Sequence, residues 1–190
     1  MNSIHATLAT LLTTITCLAQ GQVNFANLVG AGGLIVNAPV NILGTQDGPG
    51  PDWSAQLVLV AANSSLTPLM PISTFNPAGT GDAVIAGRYW APQTVTIDGH
   101  FAGENLMFRV RAWQTAYGTF EAAMFSGAAG QSADFAAVLG GASQDPNIPP
   151  ATPANLLNLK SFSVGNIPEP STLTIGLLGG AVLVVCRRRR

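Results

Sequence analysis

Charge is what this chain has least of. Charged side chains make up 9% of its 190 residues and aromatic ones 7%, against a hydrophobic share of 47%. An ordinary soluble domain carries about 25% charged residues. The shortage is not that of a disordered chain, which combines low hydrophobicity with high net charge. Four of the eight basic residues are Arg187, Arg188, Arg189 and Arg190, so the remainder sets four basic side chains against nine acidic ones. A body of that kind has no cluster of Lys and Arg with which to neutralise phosphates, which excludes nucleic acid as a partner.

Cysteine and histidine are nearly missing too. The two cysteines, Cys17 and Cys186, lie inside apolar stretches at the two ends. Between them there is no material for a disulfide framework, a thiolate zinc site or a cysteine nucleophile. His100, close to Asp98, is the single histidine of the body, and no G-x-S-x-G elbow accompanies it. The carboxylates Asp47, Asp52, Asp82, Asp98, Glu104, Glu121, Asp134 and Asp145 are scattered and read as solvated turn acids. Asp47 and Asp52 share a Gly-rich loop that offers oxygen ligands for calcium, without an EF-hand pattern. The expectation is therefore no catalytic residue, no metal ligand, no cofactor and no enzyme. A hydrolase would have to bring two of the carboxylates together across a cleft.

What is present is concentrated at the ends. The N-terminus reads MNSIHATLATLLTTITCLAQGQ, a neutral-to-apolar stretch closing in Cys17-Leu18-Ala19. Small residues at that spacing mark a signal-peptide cut after Ala19, and a cut after Gly21 fits nearly as well. The segment 1–21 is assigned as a signal peptide, although its first residues carry only His5. The C-terminus reads NIPEPSTLTIGLLGGAVLVVCRRRR. Pro168 and Pro170 hold the backbone around Glu169 extended and remove two amide donors, which suits a protease cleft. Residues 171–186 are uncharged and, as a helix rising about 1.5 Å per residue, span about 24 Å of a hydrocarbon core about 30 Å thick. Arg187–Arg190 then stop transfer and keep that end on the cytoplasmic side, with long stems that snorkel to the interface.

Pro168-Glu169-Pro170, the apolar run and the arginine cluster, in that order, resemble the PEP-CTERM sorting signal of bacterial exported proteins. The resemblance implies an exosortase, a membrane protease, as partner, a cut near Pro-Glu-Pro, and transfer from the membrane to the cell surface or its polysaccharide matrix. Tails of this type also occur on some ice-binding proteins, but Thr94-x-Thr96 is a single pair rather than an array. The blocks QVNFAN, VNAPV, AQLVLV, FRVRAWQTAYGTFEAA and LLNLKSFSVGNIPEPST resemble small exported β proteins of the Verrucomicrobia and related bacteria. That likeness implies an architecture and an address, and no activity.

The body, residues 22–165, reads as short strands: 22–29, 39–43, 55–61, 94–97, 106–112 and 159–164. Turn residues separate them, and Asp98-Gly99 is placed as a hairpin between TVTI and the following run. A short helix is drawn over Gln131–Leu139. The expected fold is an all-β, antiparallel β-sandwich of jelly-roll or Ig-like type, flanked by the signal segment and a C-terminal transmembrane helix at 171–186. In LMFRVRAW, parity puts Arg109, Arg111 and Trp113 on one face. Exposed, Trp113 would stack a sugar beside two guanidinium groups; buried, it would belong to another packed layer. One of the neighbours Tyr89 and Trp90 is expected to point outward. Trp90, Trp113 and Tyr117 are thus the candidate glycan-binding residues. The reading is an exported surface or matrix protein, structural or adhesive, with a carbohydrate-binding module for extracellular polysaccharide as the alternative.

Overall fold

Alternating polarity in short runs builds nearly all the regular structure. The computed structural model describes residues 20–31, 34–77, 87–145 and 147–165. Pro168, Glu169, Pro170, the apolar run 171–186, Arg187–Arg190 and residues 1–19 of the expected signal segment lie outside the described residues. No described helix is long and apolar enough to cross a membrane. The strands are β1 (Gly21–Phe25), β2 (Leu28–Ala31), β3 (Leu34–Asn37), β4 (Val40–Ile42), β5 (Trp53–Val60), β6 (Leu66–Pro68) and β7 (Ser73–Thr74). They continue with β8 (Gln93–Ile97), β9 (Asn105–Gln114), β10 (Ala129–Gln131), β11 (Phe135–Val138), β12 (Gly140–Gly141), β13 (Ala154–Asn155) and β14 (Phe162–Val164). Among the described residues one α-helix, α1, covers Phe120–Phe125. The fold is all-β, as the alternation predicts.

Two larger sheets dominate. In the four-stranded one, β1 is central, with β8 antiparallel along one edge and β12 and β13 sharing the other. In the six-stranded one, β9 and β5 form the antiparallel spine, from Trp53↔Gln114 to Val60↔Met107. Strands β10 and β11 continue the free edge of β9, while β6 and β7 continue that of β5. The pairs β2–β3 and β4–β14 complete the set. One expectation is corrected here: β1–β13 and β4–β14 run parallel, so pairing is not antiparallel throughout. These contacts join residues far apart in sequence, which local alternation does not encode.

Both large sheets send their apolar parity into the same core. Val23 and Phe25 of β1 and Val95 and Ile97 of β8 meet Ala55 and Leu57 of β5 and Phe108, Val110 and Ala112 of β9. Register makes this automatic: Ala55, Leu57 and Leu59 lie opposite Ala112, Val110 and Phe108. The opposite parity of β1 and β8 (Gln22, Asn24, Thr94, Thr96) is polar and lies away from the core.

The run 22–29 is two strands rather than one, because Asn27 breaks it. This side chain is fully buried and saturated: Nδ2 donates to the carbonyls of Ala38 and Arg88, both at 3.0 Å, and Oδ1 accepts from the Trp90 N–H at 3.1 Å. The Asp98-Gly99 turn exists, with Gly99 at φ +78, a conformation glycine adopts without a Cβ clash. It is not a hairpin, however: β8 pairs with β1 and β9 with β5, so the turn carries the chain from one sheet to the other. The helix drawn over Gln131–Leu139 is also corrected. Phe135 and Ala137 alternate inward as β11 on β9, and tertiary pairing overrides the helical propensity of the alanines.

The helix lies earlier, where Thr119 caps α1 by accepting from the Ala122 N–H at 3.2 Å and Glu121 occupies the first turn. Its neighbour β10 lies close to β14 because Gly130 has no side chain. A Cβ there would sit 2.4 Å from the Ser163 carbonyl oxygen.

Two substitutions test this frame. Asn27→Ala leaves two carbonyls and one N–H buried without partners and lowers the unfolding free energy by on the order of 3 kcal/mol, read from the urea midpoint. Gly130→Ala pushes β14 off β10, and the amides of Leu43 and Gly165 exchange faster while those of β5 keep their protection.

Candidate functional site

The aromatic candidates separate by burial. Trp90 is 2% exposed. Its indole N–H donates to the Phe25 carbonyl at 3.1 Å, and its ring packs on Phe25 (centroids 4.8 Å apart) and edge-on to Phe75 (5.6 Å). Tyr89 is buried as well, its hydroxyl donating to Asn37 Oδ1 at 2.9 Å, so neither member of the pair points outward. That expectation is corrected, and the reason is the core formed where the sheets meet at Phe25, Phe75 and Trp90. Trp90 has no free face on which to stack a sugar.

Trp113 takes the parity expected of it, on the face with Arg109 and Arg111, yet it is only 3% exposed. Helix α1 covers it: Phe120 lies edge-on at 6.4 Å, and Ala123 and Ala128 complete a second small core. The Arg111 guanidinium stacks 4.5 Å above the Phe120 ring while Nη1 donates to Glu121 at 3.0 Å. Arg109 makes a two-pronged pair with Asp134, Nε to Oδ1 at 2.6 Å and Nη2 to Oδ2 at 2.9 Å, tying β9 to the segment before β11. Both arginines are thus engaged within the fold. The Trp113 indole N–H and the Arg111 Nε are buried without a hydrogen-bond partner. Tyr117, at the end of the 3-10 turn Thr115–Tyr117, is the one glycan candidate with an open face, 41% exposed.

The structure pairs His100 with Glu104, where sequence proximity points to Asp98. His100 Nδ1 lies 2.7 Å from Glu104 Oε2, and the Phe101 N–H donates to Glu104 Oε1 at 2.8 Å. The i, i+4 spacing is visible in the sequence, but the turn that closes it is not. Asp98 instead accepts from the Gln20 side-chain amide at 3.0 Å. The hydrogen bond from His100, helped by that from Phe101, holds the Glu104 carboxyl below its ordinary value of 4.5. The bond from Arg109 likewise holds Asp134 below 3.8 and raises Arg109 in turn. Among the described residues, no three His, Cys, Asp or Glu side chains gather as metal ligands, Asp47 and Asp52 included. A half-open cleft of about 440 Å³ lies between β11 and residues 151–158, lined by Val138, Leu157 and small residues, with Asn155 and Asn158 as polar groups.

The remaining feature is where the chain leaves the body. Strand β14 pairs in parallel with β4 (Phe162↔Val40, Val164↔Ile42), and the Leu43 N–H donates to the Val164 carbonyl at 2.7 Å. The Gly165 N–H then reaches the Ala129 carbonyl at 3.4 Å. The very next residue opens the tail, and residues 166–190 match the family model of the PEP-CTERM protein-sorting motif. The chain carries a PEP-CTERM sorting signal. The signal directs export, membrane passage and sorting to the cell surface, with an exosortase, a membrane protease, as its processing partner. The match begins at residue 166 and covers none of the body. No curated protein and no solved structure matches the chain.

The lowered carboxylates fix a pH response. Their folded values lie below the unfolded ones, so their stabilisation is present above the ordinary carboxylate values and is lost as pH falls through the lowered ones. Tm should hold between about pH 7 and 5 and fall below about pH 4. The double variant Glu104→Gln, Asp134→Asn should show a shallower fall in the same thermal scans.

Proposed function

We propose that the body is a β-sandwich, the two larger sheets its layers, delivered by the tail to the cell surface or extracellular matrix for a structural or adhesive role. One observation carries the reading: the sorting signal starts just after Gly165, which follows a strand paired with β4 and itself bonds to β10, and the body before it spends its tryptophans on packing. Such a body is cargo for the signal, folded up to the point at which the signal begins. The engagement of Arg109 with Asp134, and of Arg111 with Phe120 and Glu121, supports a role in which these side chains serve the fold. Pro168, Glu169 and Pro170 are proposed as the motif the exosortase reads, and Arg187–Arg190 as the stop that holds the tail during reading.

Carbohydrate binding is the second reading, and Tyr117 favours it as the exposed aromatic among the three candidates. A single ring supplies one stacking contact, worth little without a supporting groove.

Two experiments separate these readings. In the native host, replacing Pro168, Glu169 and Pro170 by Ala should move the protein from the surface fraction to the membrane fraction at unchanged total level, followed by immunoblot with an antibody to the body. Surface delivery unaffected by the triple change contradicts the proposal. On a glycan array, the wild-type protein and Tyr117→Ala should give the same signal. Saturable binding lost in Tyr117→Ala would make the protein a carbohydrate-binding module.

A further inference from the structure

Exposed apolar side chains lie on the segments bonded next to the exit of the chain. Phe125, the last residue of α1, is 95% exposed, and Met124 and Leu43 are also exposed. A soluble body gains nothing from holding a phenylalanine out in water, so its surroundings matter. The Ala128 N–H returns to the Ala123 carbonyl at 2.9 Å, folding the chain back after α1, so the end of the helix stays beside Ala129. The Ala129 carbonyl in turn accepts from the Gly165 N–H, and the Leu43 N–H donates to the Val164 carbonyl at the end of β14. Leu43, Met124 and Phe125 therefore lie on segments that these backbone bonds tie to the end of the body bearing Gly165.

The tether is short. Gly165 and Ser171, where the uncharged run starts, are separated by at most about 21 Å of fully extended chain. The headgroup zone between water and hydrocarbon is about 5–7 Å deep on each side. While the tail is embedded and uncut, the end of the body bearing Gly165 is the end held closest to the bilayer. The charges nearby are few and acidic: Glu121 of α1 is paired with Arg111, and Asp47 lies exposed in the turn after β4, its carbonyl accepting from the Ile42 N–H. Phe and Leu side chains, with a flexible Met, are suited to the boundary between headgroups and acyl chains.

We propose that Leu43, Met124 and Phe125 form a lipid-facing patch that rests in the membrane interface before the tail is processed, docking the body on the bilayer in one orientation. The inference rests on the reading that the tail is membrane-embedded before it is cut. Its occupant is a lipid surface of ordinary, not specially anionic, composition, since the patch itself carries no basic side chain. Exposed apolar residues elsewhere supply the comparison. Val138 and Leu157 line the cleft at the other end of β9, where Val138 pairs with Asn105 while Ala129 pairs with Trp113. Eight residues of strand separate those ends, about 26 Å.

The test uses the full chain reconstituted in phosphatidylcholine vesicles, with and without lipids brominated on the acyl chains. Phe125→Trp and Val138→Trp each add one reporter to the same background of buried native tryptophans, and both sites are open enough to accept the ring. The expected result is bromine quenching of the added fluorescence several-fold greater at position 125 than at 138. Equal quenching at both positions, or none at 125 in vesicles that flotation shows to carry the protein, overturns the proposal. Shielding at 125 that rises with protein-to-lipid ratio but ignores bromine assigns the patch to a second copy and overturns it as well. Protein that fails to float with the vesicles at all contradicts the embedded tail, and the patch falls with it.

Discussion

The Asn27–Trp90 clasp is the constraint on which the rest of the structure depends. Asn27 ends β1 and satisfies three backbone groups from two distant segments with one buried side chain. By holding the Trp90 N–H it sets the indole on Phe25 of the four-stranded sheet and against Phe75, which follows β7 of the six-stranded one. The backbone bridge between Phe75 and Trp90 closes the same joint from the other side. A polar side chain thus fixes the meeting point of two sheets whose facing surfaces are almost wholly apolar. Apolar packing alone is tolerant of small shifts; a saturated buried amide is not.

The scarcity of charge is consistent with this economy. Arg109 and Arg111 are both turned to structural use, one clamping Asp134 and the other lying between Phe120 and Glu121. Helix α1 converts what would have been an exposed Arg–Trp face into a second core. The body that reaches the end of β14 is one in which aromatic and cationic side chains are largely spent on packing. Exposed apolar side chains, Leu43, Met124 and Phe125, lie on segments tied to the end from which the sorting signal begins.

How much of this is legible in the sequence follows from how local each feature is. The alternation in β5, β8 and β9 is written in consecutive residues and gives the strands and their inward faces directly. The tail is more legible still, since Pro-Glu-Pro, an apolar run and an arginine cluster need only their order. Parity also places Trp113 beside Arg109 and Arg111, but it cannot tell whether another element covers that face. The covering helix is capped by Thr119 and charged by Glu121, a local signal that the β-like surroundings obscured. The parallel contacts of β13 and β14, the two-residue strands and the split of QVNFANLV at Asn27 depend on partners tens of residues away. The turn at Asp98-Gly99 is read correctly as a turn and wrongly as a hairpin, because turn chemistry does not say which sheet receives the next strand.

The central claim is that the tryptophans hold the body together rather than face a ligand. Iodide quenching of the native fluorescence in the unmodified chain tests it most directly, since Trp53, Trp90 and Trp113 are the protein's only tryptophans and all three are buried. The account predicts little quenching in the folded protein and strong quenching once urea unfolds it. Ready quenching of the folded protein would put an indole face in water and contradict the account.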